Sequence, residues 1–269
     1  MTQLQQEVFK QFADLIYKEA GIHLGEHKQA LVSARLNKRM RFLSIRNFDD
    51  YYDYVQNDRS RKELSKLLDA ISTNVTYFYR EPDHFDLLAS LVRRWSQERQ
   101  SRIRIWSAAS STGEEPYTIS LTLSESLQNV HDVKILATDI STSVLETARK
   151  GEYGAKKLEK IPGKMINKYF TLVQSQGEKI YRVKEKIKKM IQFSWLNLSA
   201  PPYPMSGPLD VIFCRNVMIY FDNKVKEKLL EDMYRLLKPG GYLMVGHAES
   251  LAGLLSRFKS VKPSVYIKK

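Results

Sequence analysis

The sequence predicts an α/β fold: a doubly wound, mostly parallel sheet with a small all-helical N-terminal domain and an inserted β-subdomain. Residues 1–71 show only helical periodicity. From Ile103 onward, short apolar runs alternate with amphipathic helices, the pattern of parallel strands joined by crossovers. Between Lys150 and Met190 that alternation lapses into a lysine-rich stretch with a hairpin signal. These features divide the chain into a helical domain over 1–71, a linker over 72–84 and the α/β domain over 85–269, with the insertion at about 155–190.

A chain of 269 residues has room for two unequal domains and an ample core. Its single cysteine, Cys214, excludes an intrachain disulfide and fits a reducing compartment. With no apolar leader and no run of ~18 apolar residues, a cytoplasmic protein without membrane insertion is expected. The net charge of +13 implies an acidic partner, which composition leaves open among nucleic acid, anionic lipid and an acidic protein face.

In the helical region, Leu4, Val8, Phe12 and Leu15 form one stripe. Gly21 and Gly25 bracket a turn, and a second helix from about Lys28 carries Leu36, Met40 and Leu43 on one face. Arg35, Lys38, Arg39 and Arg46 fall on another face, with no acid between Glu26 and Asp49. That face is either a solvated helix side or a recognition surface. Asn47 or Asp49 suits the cap of a third helix through Tyr52 and Val55. Ser60-x-x-Glu63 reads as the capping box of a fourth, which buries Leu64, Leu67, Leu68 and Ile71. The linker from Ser72 to Arg80 is a poor helix and too polar for a core strand. Asn74, Thr76 and Arg80 either face a cleft between the domains or accompany aromatics that simply pack. Glu81-Pro82 starts the helix of Phe85, Leu88, Leu91, Val92 and Trp95.

The first strand–turn–helix of the sheet region, Arg104 to Tyr117, has an apolar run, a turn of very small residues to Gly113, and a helix opened by Glu114, Glu115 and Pro116. Ser111-x-x-Glu114 suits a capping box. Such a turn lets a nucleotide-like ligand approach the backbone. It is not G-x-G-x-x-G, and two acids there would repel a pyrophosphate. An adenosine-bearing ligand that is not polyanionic is expected, and S-adenosylmethionine meets both conditions. Val133 to Asp139 is the next strand. Asp139 at its tip suits a ribose, the alternative being the N-cap of the helix Ser141–Lys150.

Basic residues crowd the insertion, among them Lys156, Lys157, Lys160, Lys184 and Lys188. Gln176-Gly177-Glu178 separates two strand-like runs, Tyr169–Val173 and Lys179–Val183. A strand at Ile191 then leads to Asn197 and Leu198, suited to an adenine edge. Leu209 to Phe221 is a further strand and its exit loop. Arg215, Asn216 and Tyr220 follow the carboxyl end, where open α/β sheets bind ligands. Asp222-Asn223 caps another helix that Pro239-Gly240-Gly241 ends, and Phe258–Val261 with Val265–Ile267 closes the chain as an antiparallel pair. No metal-ligand set is read.

Leu237-Lys-Pro-Gly-Gly-Tyr-Leu243 resembles the L-x-P-G-G-x-L turn of class I S-adenosylmethionine-dependent methyltransferases. Three more stretches narrow the resemblance: Thr73-Asn-Val-Thr-Tyr-Phe-Tyr-Arg-Glu81, Ile105-Trp-Ser-Ala-Ala-Ser-Ser-Thr-Gly-Glu-Glu-Pro-Tyr117 and Ile212-Phe-Cys-Arg-Asn-Val-Met-Ile-Tyr-Phe221. In that order, behind a helical domain, they are similar to the bacterial chemotaxis receptor methyltransferases of the CheR family, over nearly the whole chain. The resemblance implies transfer of a methyl group from S-adenosyl-L-methionine to glutamates on the cytoplasmic helices of methyl-accepting receptors. The products are glutamyl methyl esters and S-adenosyl-L-homocysteine.

By matching positions, it implies that Asn74, Thr76 and Arg80 reach the cofactor. Gly113 forms its turn, Glu114 lies beside it, Asp139 holds the ribose, and Asn197 and Leu198 meet the adenine. Arg215 and Asn216 line the cofactor side, and Tyr220 stands near the reacting centre. Arg80 and Tyr220 are the catalytic candidates, with Arg80 holding either the substrate glutamate or the cofactor's own carboxylate. The resemblance makes Arg35, Lys38, Arg39 and Arg46 receptor-binding. Family members that grip a receptor pentapeptide carry a glycine-rich hairpin turn. Gln174-Ser-Gln-Gly-Glu178 has one glycine, so pentapeptide tethering is not expected, and a monomer is.

Two rivals follow from the same residues. A nucleic-acid methyltransferase suits the charge, and Pro201-Pro202-Tyr203 mimics part of an amino-methyltransferase motif. However, Ala200 lacks the acceptor that motif needs and the stretch follows the wrong strand. A non-catalytic receptor-binding module is opposed by the presence of Arg80, Glu114 and Asp139.

Overall fold

The computed structural model describes residues 4–72, 74–127, 132–175, 178–249, 251, 253–254 and 257–269. Four helices come first: α1 (Gln6–Ala20), α2 (Gln29–Leu43), α3 (Phe48–Asn57) and α4 (Lys62–Ile71). The apolar stripes behave as their spacing predicts, with Val8, Phe12, Leu36, Met40, Tyr51 and Leu67 buried together. Asn47 caps α3 by accepting the Asp50 N–H. The capping box expected at α4 does not form. Asp58 does that work, accepting the Ser60 and Glu63 N–H groups at 2.9 and 2.7 Å. Glu63 is drawn inward instead, to Arg39 and Tyr51, because a two-bond guanidinium pair and a buried hydroxyl outweigh one exposed reciprocal cap.

The helix α5 (Asp83–Gln97) buries Phe85, Leu88, Val92 and Trp95 against the sheet. There follow β1 (Arg102–Ala108), α6 (Glu114–Ser126), β2 (Asp132–Asp139) and α7 (Thr142–Lys150). A short antiparallel sheet comes next, built of β3 (Glu152–Gly154), β4 (Phe170–Ser175) and β5 (Glu178–Val183) in the order β3-β5-β4, with α8 (Gly163–Tyr169) preceding β4. The turn residues Gln176 and Gly177, on which the glycine-poor hairpin expectation rests, lie outside the described residues, as does Thr73. The short α9 (Glu185–Lys188) leads to β6 (Ile191–Trp195), β7 (Leu209–Cys214), α10 (Asn223–Leu236), β8 (Leu237–Val245), β9 (Phe258–Lys262) and β10 (Val265–Lys268).

The main sheet runs β6-β2-β1-β7-β8-β10-β9. The strands from β6 to β8 are parallel, and β10 is antiparallel to both its neighbours. Strand order reverses beside β1, so the crevice outside the carboxyl ends of β1, β2 and β7 is where a ligand belongs. The residues Pro239-Gly240-Gly241 do not end α10. That helix stops at Leu236, and the proline–glycine turn is looped out of β8 as its pairing jumps from Leu209↔Leu237 to Val211↔Tyr242.

The helical domain is not a separate ball. Phe12 and Ile16 share one core with Trp106, Leu196, Leu198 and Leu229 of the α/β domain. Gly21 makes the approach possible: it ends α1 at φ 67°, and a Cβ there would sit 2.4 Å from the Ser199 Cβ. Any side chain would strain the turn and push the domains apart. A separate cluster around Phe78, Tyr117, Tyr153 and Phe170 ties the linker and α6 to the small sheet. Among the described residues no helix is long and apolar enough to cross a membrane.

Candidate functional site

A cleft of about 1230 Å3, counted to its open mouth, runs between the helical domain and the carboxyl ends of the parallel strands. One wall comes from the loops after β1, β2, β6 and β7, and the other from the linker and the start of α2. Of the residues singled out in the sequence, Asn74, Thr76, Arg80, Asp139, Asn197, Leu198, Arg215, Asn216 and Tyr220 line it.

The turn after β1 is tight because Ala109, Ser111 and Gly113 all have positive φ. Gly113 does not face the cleft. It packs so closely on α7 that a Cβ would lie 2.9 Å from the Ala148 Cβ. The expected Ser111–Glu114 capping box is absent, since Gly113 is the N-cap and carries no side-chain bond. Ser111 instead sends its N–H to Asp139 (2.8 Å) and its hydroxyl to the Asn74 carbonyl (3.3 Å).

Glu114 also departs from expectation. It is fully buried on the side of the small sheet, bonded to the Thr112 hydroxyl and to Lys157 at 2.6 Å. Successive helical residues point ~100° apart. It is therefore Glu115 that lines the cleft, accepting from Ser107 (2.7 Å) and Arg215 (3.0 Å).

Asp139 is 7% exposed at the tip of β2. Its Oδ1 accepts the Ser141 N–H at 2.9 Å and its Oδ2 the Ser111 N–H. The N-cap of α7 is Ser141, not Asp139. Burial pushes the Asp139 carboxyl above the usual range despite those two donors. Each oxygen retains a second lone pair for a hydroxyl donor. Asn197 stands on the wall, but its amide is occupied: Nδ2 donates to the Glu19 carbonyl at 2.8 Å, and Oδ1 accepts the Ser199 N–H at 2.9 Å. It fastens α1 to this loop, which leaves backbone groups and buried Leu198 to face the cleft there.

Arg215, 5% exposed, is the centre of the deep end. Its guanidinium donates to Glu81 (3.0 Å), Glu115 (3.0 Å) and the Arg80 carbonyl. Asn216, at φ 58°, donates to the other Glu81 oxygen at 3.1 Å. Burial alone would raise the Glu81 carboxyl, yet Arg215 and Asn216 hold it below its ordinary value. For Glu115 burial wins and the carboxyl is raised.

Sequence reasoning missed Glu81, Glu115 and Glu249. The buried Glu249 carboxylate accepts four backbone N–H groups: Gly246 at 2.6 Å, Asn216 at 3.0 Å, Val217 at 2.9 Å and Met218 at 2.7 Å. It holds the loop that carries Asn216 and Tyr220. For Glu249 the available signal was an acid a few residues past the carboxyl end of a strand.

At the mouth, Arg80 donates to the Val75 carbonyl at 2.8 Å and lies 5.8 Å from the Tyr77 ring. Tyr220 sits in a single turn after β7, with Lys28 5.6 Å from its ring. Val75 and Leu31 are apolar and exposed at this rim, and Lys160 caps the Tyr77 ring at 3.9 Å. The four-cation stripe expected on α2 does not exist as a free face. Arg35 donates to the Ile71 and Ser72 carbonyls, fixing the start of the linker. Arg39 makes a two-bond pair with buried Glu63 at 2.8 and 2.6 Å, and Tyr51 donates to the same carboxylate. Arg46 is not on the helix at all, since α2 ends at Leu43, and of the four only Lys38 and Arg46 are exposed. Acceptors on α4 and at the start of the linker hold Arg35 and Arg39, which helical spacing alone does not reveal.

Two family models match in tandem: "CheR methyltransferase, all-alpha domain" over residues 7–72 and "CheR methyltransferase, SAM binding domain" over 74–267. The chain is 41% identical to the chemotaxis protein methyltransferase 2 of Pseudomonas aeruginosa, covering 97% of this chain and 92% of that one. It is 39% identical to the chemotaxis protein methyltransferase of Escherichia coli (96% and 89% covered) and 40% identical to that of Borreliella burgdorferi (94% and 91%). With helical domain, switch-point cleft and relatives in agreement, this chain belongs to the CheR family of S-adenosylmethionine-dependent chemotaxis methyltransferases.

Proposed function

We propose that the enzyme methylates glutamate side chains on the cytoplasmic helices of chemoreceptors, acting in the cytoplasm as a monomer. The observation that carries this reading is the pairing, in one cleft, of a buried ribose-type carboxylate, Asp139, with an arginine at the mouth, Arg80, held by one backbone carbonyl. The cleft fits S-adenosylmethionine: Asp139 has two acceptor sites left for ribose hydroxyls and Leu198 offers an apolar face. Bound there, S-adenosylmethionine supplies an electrophilic sulfonium methyl.

The chain's own task is placement. A glutamate of pKa ~4.3 is already ionised at neutral pH, so no general base is needed. Arg80 orients a carboxylate, Tyr220 donates a hydrogen bond to it, and the linker excludes water, which together supply proximity and orientation. Asn74, Thr76, Arg215 and Asn216 act by shaping the cofactor side, Arg215 and Asn216 through Glu81. Receptor recognition is assigned to the mouth with Lys38 and Arg46, without a pentapeptide tether. Against the nucleic-acid reading, Tyr203 is 3% exposed and its hydroxyl is bonded to the Leu198 carbonyl, so the Pro201-Pro202-Tyr203 stretch offers a base nothing.

The test is transfer of tritium from labelled S-adenosylmethionine to receptor cytoplasmic fragments. Base-labile label on glutamate supports the reading. Base-stable label, label on nucleic acid, or none at all overturns it.

A further inference from the structure

We infer that Glu81, His84 and His247 form a site for a divalent transition-metal ion of the zinc class, lying behind the catalytic cleft. One donor atom from each lies within 4.8 Å of the others. His84, on the first turn of α5, is fully buried, and neither ring nitrogen has a hydrogen-bond partner among the described residues. A buried imidazole with both nitrogens unmatched is costly and calls for a partner. Glu81 lies 3.7 Å from its Nδ1 and Asp83 4.0 Å from its Nε2. His247, after β8, brings a second imidazole edge-on at 5.1 Å between ring centroids. Asp83 stands 3.2 Å from His247 Nε2, placed to orient that ring as carboxylates orient metal-bound histidines.

The donor chemistry selects the ion. Two imidazoles and a carboxylate suit zinc, copper or nickel and not magnesium or calcium, which take oxygen. A buried ring whose two nitrogens are both unpaired among the described residues has a lone pair to offer such an ion. The local charge also suits a cation. Arg215 is opposed by Glu81 and Glu115, with Asp83 beyond them. Zinc–nitrogen bonds of ~2.0–2.1 Å require donors that now lie up to 4.8 Å apart to draw together. His247 is half exposed and free to supply that movement and the route in from solvent.

A metal here touches the active site through Glu81. That carboxylate holds Arg215 and Asn216, and Arg215 in turn holds the Arg80 carbonyl. Coordination of Glu81 competes with the Arg215 pair and loosens the linker, so the bound ion restrains methyl transfer.

Zinc itself is the probe, titrated into the intact, chelator-treated enzyme by calorimetry at pH 7, with transfer assayed in parallel. One zinc per chain is expected. His247→Ala should weaken zinc binding at least tenfold and abolish zinc inhibition while leaving zinc-free transfer unchanged. His27→Ala, at an exposed histidine of the helical domain, should change neither. Because His247 is on the surface, its replacement does not threaten folding. Absence of stoichiometric binding overturns the site and leaves His84 a core histidine. Binding that survives His247→Ala, or is lost with His27→Ala, assigns the ion to an adventitious surface site and overturns it equally.

Discussion

The two walls of the cleft are built on opposite terms. On the sheet side, polar groups are buried and held more than once: Asp139 by two N–H groups, Glu249 by four, and Arg215 by two carboxylates and a carbonyl. On the linker side, Arg80 has one backbone acceptor, Val75 is 70% exposed, and Tyr77 meets solvent with Lys160 over its ring. The first wall is preorganised and suits a cofactor whose shape does not vary. The second has donors to spare and suits a side chain that arrives on another protein. Preorganisation costs stability, because every buried charge must be matched, whereas the linker wall leaves its charge partly in contact with water.

The largest effect should come from breaking the sheet wall at its centre. Arg215→Ala leaves Glu81 and Glu115 buried without their cation, and is expected to lose about 3–5 kcal/mol of folding stability. Denaturant unfolding reads this directly, and a loss under ~1 kcal/mol would mean that the wall relaxes and is not preorganised.

On the linker wall the opposite pattern is expected. Arg80→Ala should reduce methyl transfer at least ~100-fold with an unchanged unfolding midpoint, since the guanidinium supports no core. A mutant that is active, or that is inactive only because it unfolds, would erase the contrast between the walls.

Asp139→Ala sharpens the comparison from the cofactor's side. Losing charge-assisted bonds to the ribose should weaken S-adenosylmethionine binding by ~1.5–3 kcal/mol by calorimetry. Unchanged affinity would confine Asp139 to holding the Ser111 and Ser141 N–H groups.

The smallest effect is expected away from the cleft. Reversal of Lys38 and Arg46 to Glu should raise the receptor KM a few-fold and flatten its salt dependence, with cofactor affinity unchanged. Arg39→Glu is a different experiment. It sets a carboxylate against buried Glu63, so its signature is a lowered thermal midpoint. Equal KM values at two ionic strengths for the Lys38/Arg46 variant would show these cations to be ordinary surface.

Fold class was open to inspection because hydrophobic period is local. The 3.6-residue stripes of α1 to α5 and the apolar runs at Ile105, Val133 and Val211 depend only on neighbouring residues, and each became the expected element. Asp139, Arg215, Asn216 and Tyr220 were legible for a related reason: an open α/β sheet presents its ligand side at strand ends, so order in the chain implies place in the cleft. Capping was less legible. At Ser60 and Ser111 the right residue types stood at the right spacing, but Asp58 and Asp139 bound the N–H groups at those turns.

By itself the amino-acid order determined the parallel sheet, its helical prelude, the position of the cofactor crevice and the family's signature stretches, since all of these are written in residues close in sequence. Tertiary structure alone decided which charges remain available. Glu114 and Glu115 are neighbours, yet one turns to Lys157 and the other to Arg215. Arg35 and Arg39 look like a binding stripe until α4 and the linker supply their acceptors. A buried charge is satisfied by whatever element folds beside it, and that partner can lie anywhere in the chain. Glu249 and the Asn216–Met218 backbone, or His84 and His247, meet only when the sheet has closed.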